Sequence, residues 1–141
     1  SVPTIANAMD VGDPSNFARI LDLYGKNGNP HAEICQLISG YRFTDEEIGT
    51  TMKQVYDETG YILDPHGACG YQALIESGLS PNETGLFLET AHPAKFKGTV
   101  DKILEADIEI PAKLKAFMQG EKQSVGMDKD FESFKSYLLK Q

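Results

Sequence analysis

Gly85-Leu86-Phe87-Leu88-Glu89-Thr90-Ala91-His92-Pro93-Ala94-Lys95-Phe96 is a short apolar run that passes into a hydroxyl, a histidine and a proline. Bounded by Gly85 and Pro93, the run Leu86 to Leu88 is too short for a helix and predicts a buried central strand. Pro93 suits the first turn of the helix that follows, where its missing N–H costs nothing. Ligands of open parallel sheets bind beyond the carboxyl ends of the strands, which is where Thr90 and His92 fall. Tyr61-Ile62-Leu63 predicts a second short strand, and Asp64-Pro65 after it gives an N-cap and a proline at the first helical position.

Helical spacing accounts for most of the rest. Asp13-Pro14 reads as a cap and first turn, followed by Phe17, Ile20, Leu21 and Tyr24 at i, i+3, i+4, i+7. A short helix is predicted over His31 to Ile38. Thr44-Asp45-Glu46-Glu47 is a capping box, with Ile48, Met52, Val55 and Tyr56 on the inward face and Gly60 at the close. The Asp64-Pro65 helix runs through Leu74 and closes at Gly78. Phe96, Val100, Ile103 and Leu104 mark a further helix. Pro111 opens another with Leu114 and Phe117 inward, and Phe131, Phe134, Leu138 and Leu139 mark the last. Gly120 to Met127 is the nearest approach to a linker. Alternating helices and strands predict an α/β fold with few short strands and flanking helices. So small a sheet leaves edges to be covered, and Leu86 to Leu88 and Val2 to Ile5 are the apolar faces expected to need it.

The chain has 141 residues, 40% of them apolar, which is enough for one globular core. A net charge of −8 without a basic cluster speaks against nucleic acid and anionic membrane as partners. No apolar run approaches the ~20 residues that span a bilayer, and no signal peptide opens the chain. Cys35 and Cys69 have neither CxxC nor metal spacing. They are expected as buried free thiols in a reducing cytosol, and the predicted location is cytoplasmic. The start at Ser1 reads as processed or truncated.

His31, His66 and His92 each adjoin a proline, and no metal-site spacing such as HExxH occurs, so no metal is predicted. Asp64-Pro65-His66-Gly67 and Thr90-Ala91-His92-Pro93 both place a histidine at a strand-to-helix turn, and two such turns can face one crevice. For His66 and His92 a ligand role stands beside the alternative of capping a helix or bonding backbone. His31 is expected on the solvated surface. Gly67 lets backbone approach closely at a helix start, where an anion is favoured, yet there is no glycine-rich phosphate loop and no GxSxG elbow. Lys95 is expected on the exposed side of its turn rather than as a Schiff-base lysine. From the residues alone the reaction type stays open.

Three segments together resemble the C-terminal portion of threonine synthase. They are Asn7-Ala8-Met9-Asp10-Val11-Gly12-Asp13-Pro14-Ser15-Asn16-Phe17, Leu63-Asp64-Pro65-His66-Gly67-Ala68-Cys69-Gly70, and Glu89-Thr90-Ala91-His92-Pro93-Ala94-Lys95-Phe96. The resemblance covers essentially the whole chain. In the second segment the family commonly has threonine and valine where Gly67 and Cys69 stand here. The resemblance implies the C-terminal portion of a large domain of the tryptophan-synthase-β-like fold (fold type II). It implies a pyridoxal 5'-phosphate enzyme, a carbon–oxygen lyase acting on phosphates, that converts O-phospho-L-homoserine and water to L-threonine and phosphate.

By the same resemblance Thr90 is the hydroxyl that meets the pyridine nitrogen, with His92 and His66 as further cofactor-binding candidates. A neutral hydroxyl there leaves the ring nitrogen less protonated than a carboxylate would, which favours β/γ-elimination. No catalytic residue is implied within the segment, because the family's Schiff-base lysine and glycine-rich loop lie upstream. Residues 1–141 are thus expected as one C-terminal segment of a larger enzyme, inactive alone and partnered by the missing N-terminal part, with a loosely attached helix at 128–141. The alternatives are a fragment of another lyase of this fold, a dehydratase or cysteine synthase, and a non-catalytic binding domain derived from one.

Overall fold

The computed structural model describes residues 2–7, 14–25 and 29–140. It comprises two compact units, residues 1–109 and 110–141. The first unit holds helices α1 (Phe17–Tyr24), α2 (Pro30–Leu37), α3 (Asp45–Thr59), α4 (Pro65–Glu76) and α5 (Lys97–Leu104), with a 3-10 turn at Pro93–Phe96 leading into α5. The second holds α6 (Ala112–Met118) and α7 (Phe131–Leu139).

Helix α3 is the centre of the first unit, and its start follows from local chemistry. Glu47 N–H donates to the Thr44 hydroxyl oxygen (3.3 Å), and Thr44 N–H donates to the Glu47 carboxylate (2.7 Å), so two otherwise orphaned amides are satisfied reciprocally. Gly60 ends the helix at φ +72°, a conformation that costs a side-chain-bearing residue far more. Asp45 also accepts bonds from the Thr4 hydroxyl (2.6 Å) and the Ile5 amide (3.1 Å), tying the N-terminal stretch to this end of α3.

The inward face of α3, Ile48, Met52 and Val55, packs with Leu63, Ala68 of α4, Val100 and Leu104 of α5, and Ile108. These spacings match the helical period. Tyr56, expected with them, is only partly buried against the cluster. Beyond α5, Lys97 donates to Asp101 (2.7 Å) and to the Ile108 carbonyl (2.8 Å), while Ile108 N–H donates to Asp101 (2.9 Å). That clamp folds the chain back so that Ile108 reaches the core.

The α/β expectation is overturned: among the described residues there is no β-strand. Residues 61–63 and 85–90 form no ladder, and an apolar run becomes a strand only through a paired neighbour. Leu86 and Leu88 stand 87% and 79% exposed, while Phe87 alone turns inward, edge-on to Tyr71 at 5.6 Å. Inside and outside alternate as on a strand, without the partner that makes one.

Other expectations shift at the boundaries. Helix α1 begins at Phe17 with Asn16 as its cap, and the expected cap Asp13 lies outside the described residues. Phe17 and Leu21 remain about half exposed. Helix α2 opens one residue early at Pro30, capped by the Asn29 side chain, which accepts from Ala32 N–H (3.3 Å). In α6 Phe117 points outward at 82% exposure, contrary to the inward face expected of it. Cys35 is exposed rather than buried, and Cys69 is half-buried; both are free thiols. Among the described residues no helix is long and apolar enough to cross a membrane.

Met52 is 1% exposed at the middle of this core. Met52→Ala should cost about 2–5 kcal/mol of unfolding free energy in denaturant titration, through lost burial and the cavity left behind. Thr44→Ala removes one reciprocal cap and should cost about 1 kcal/mol, with the urea slope unchanged.

Candidate functional site

A cavity of about 830 Å³ opens where the chain leaving α3 passes the 89–95 turn, with Ile62, Thr90, His92, Lys95 and Ile108 among the residues on its wall. That volume lies within the range of small-molecule sites.

Thr90 is exposed on the wall, its hydroxyl available to a ligand. His92 caps the 3-10 turn: its Nδ1 accepts from Ala94 N–H (3.1 Å), so a neutral ring carries its proton on Nε2. Pro93 supplies the first position of that turn, and Ala94 is buried beneath it. Lys95 follows on the cavity wall as its cation.

His66 is placed differently. It follows Pro65 at the start of α4, where Asp64 is the N-cap. His66 N–H donates to Asp64 Oδ1 (2.8 Å), and the ring Nδ1 lies 2.9 Å from the same oxygen. The ring rests on Phe96, 5.1 Å between centroids. His66 therefore does not join His92 on the cavity wall, and the single crevice expected for both turns holds only one of the two histidines.

The residue that sequence reasoning missed is Glu89. Its two carboxyl oxygens are buried and meet no hydrogen-bond donor among the described residues, as is true of Asp64 Oδ2 on a residue with no exposure at all. The two carboxyl groups lie within bonding reach of each other. Two carboxylates cannot donate to one another, so the contact is a bond only with a proton between them. Burial, then the bond to Asp64 and its charge, push Glu89 up to about 8. Burial also works to raise Asp64, but bonds from Glu89 and from the His66 amide and ring outweigh it and hold Asp64 below its ordinary value.

Gly67 makes the room. A Cβ at that position would collide with the Glu89 carboxylate. The signal was present in the sequence as a lone acid inside an apolar run and a glycine two residues into a helix, but nothing in the spacing joins residues 67 and 89.

Residues 67–138 match the family model described as threonine synthase, C-terminal. The threonine synthase of Haemophilus influenzae is 41% identical over 140 residues, 99% of this chain and 32% of its own length. The Escherichia coli enzyme is 41% identical over 112 residues. Among solved structures, the Escherichia coli threonine synthase superposes with a TM-score of 0.76 at 33% identity, covering 99% of this chain and 31% of that one. A pyridoxal-phosphate-bound threonine synthase from Brucella melitensis gives 0.77 at 26% identity, covering 97% of this chain and 34% of that one. The chain thus spans about a third of the length of the relatives it matches. On these matches the chain belongs to the threonine synthase family.

Proposed function

We propose that residues 1–141 form the C-terminal segment of a pyridoxal-phosphate-dependent threonine synthase. In this reading the complete enzyme, a cytoplasmic carbon–oxygen lyase, converts O-phospho-L-homoserine and water to L-threonine and phosphate. The observation that carries the reading is the exposed Thr90 hydroxyl on a ligand-sized cavity wall, in a chain of this family.

The residues present fit one end of the cofactor. A hydroxyl that both donates and accepts suits a pyridine nitrogen, and the wall beside it is mostly apolar, as a flat ring requires. Pyridoxal phosphate supplies an electron sink for bond breaking in the substrate. Thr90 holds the ring nitrogen and sets the ring's orientation. His92 fixes the turn that presents Thr90, since its Nδ1 is committed to the Ala94 amide. His66 braces the start of α4 through Asp64 and lies off the cavity wall, so its part is to support rather than to touch cofactor. The lysine that bonds the cofactor and the groups that hold the two phosphates belong to the remainder of the enzyme.

Thr90→Val keeps the β-branched shape and removes the hydroxyl. An unmade hydrogen bond at a closed site costs about 1–3 kcal/mol. Phosphate release from O-phospho-L-homoserine by the complete enzyme should fall roughly 5- to 150-fold, with a shifted cofactor absorbance. His92→Asn should cost less. Wild-type turnover and an unshifted spectrum in Thr90→Val would remove Thr90 from the cofactor site.

A further inference from the structure

We propose that Asp64 and Glu89 hold a single proton between them, and that this bond makes Glu89 the positioning residue that fixes Thr90 on the cavity wall. The role toward the cofactor rests on the reading of Thr90 given above; the shared proton does not.

The need for a tether comes from the backbone. Among the described residues, none of residues 85–91 makes a backbone–backbone hydrogen bond. Thr90 is therefore carried by a segment that no ladder holds, and side chains must locate it. Phe87 is one anchor, lying over Gly70 and against Tyr71. Glu89 is the other, and it stands next to Thr90 in the chain.

Asp64 is a rigid receiver. It is fully buried, caps α4, and its Oδ1 is already occupied by the His66 amide and ring. Among the described residues its Oδ2 has no partner, and neither oxygen of Glu89 meets a donor. One proton pairs two of these three oxygens: the Glu89 hydroxyl donates to Asp64 Oδ2, its carbonyl oxygen is left without a donor but uncharged, and Asp64 remains the anion that His66 faces. Two buried carboxyl groups in contact cannot both ionise. Gly67 completes the fit, since any side chain there occupies the place of the Glu89 carboxyl.

The other titratable groups around the pair are few. From α4 they are His66 and Cys69, whose thiol is raised by burial and then by the Asp64 charge. From the 3-10 turn they are His92 and Lys95, on the cavity that Glu89 also borders. No cation bonds either carboxyl among the described residues, apart from His66 when its ring is protonated.

The sign of the pH dependence follows. A carboxyl raised in the folded state contributes stability that is full below its ordinary range near 4.5 and is lost as pH rises through about 8. The tether should hold at neutral pH and fail in mild alkali.

The test uses the complete enzyme carrying this segment. An infrared difference spectrum of wild type minus Glu89→Gln should show a protonated-carboxyl C=O band at about pH 6, roughly two units below the transition, that disappears as pH rises through about 8. Glu89→Gln replaces the O–H donor by an amide N–H. It should keep most of the cofactor affinity and lose the alkaline change in the cofactor spectrum. Glu89→Ala and Gly67→Ala should each weaken cofactor binding by roughly tenfold, and the double variant by no more than either alone, because both break one bond. Absence of the band overturns the shared proton. Additive losses, or a Glu89→Ala enzyme that binds like Glu89→Gln, overturn the tether. A normal band in an enzyme whose Thr90→Val variant binds cofactor like wild type overturns the reading of Thr90 and leaves the carboxyl pair standing.

Discussion

A carboxylate with no exposure to water, Asp64, is the constraint around which the first unit is organised. Burying a charge is tolerable only with bonds in return, and Asp64 collects them from the helix it caps and the ring that follows. Those bonds fix the first turn of α4, and Ala68, one turn on, is locked into the core against α3. The position of α4 then decides what the 85–91 segment can lean on. Core packing and site geometry are in this sense one problem, because the residue that starts the helix also receives the side chain beside Thr90.

The clamp at the far side of α5 has a similar logic at lower stakes. Lys97 and Asp101 satisfy one another and both backbone groups of Ile108. Lys97 and Asp101 are each partly exposed, so their mutual attraction is screened and modest. Its effect is geometric: it turns the chain so that Ile108 seals the core while the same stretch borders the cavity.

Helices were legible in the sequence because their signals are local. The Thr44 capping box, the Asp64-Pro65 start and the Gly60 stop each involve residues within four positions, and each forms as read. The core face of α3 was legible for the same reason. Strands were not, because a ladder is a relation between distant segments. Tyr61 to Leu63 and Leu86 to Leu88 carry the composition of strands and the side-chain alternation, but find nothing to pair with among the described residues. The inward face assigned to Phe117 failed in the same way, since periodicity says which residues share a face but not whether anything covers it. At the site, Thr90 and His92 could be placed from their turn, whereas the contact of Glu89 with Asp64 and Gly67 joins positions more than twenty apart and leaves no trace in spacing.

The fit between Gly67 and Glu89 restricts how such a sequence can drift. A chain that shortens residue 89 first empties the space beside α4 and can then accept a side chain at 67. A chain that adds the side chain first passes through an intermediate whose Glu89 carboxyl is evicted from a site where only a proton had made it welcome. The two orders end at the same pair of residues and both give up the tether, but only the first avoids a collision on the way. Lineages of this segment should therefore be separated at these two positions by an ordered pair of changes rather than by independent ones.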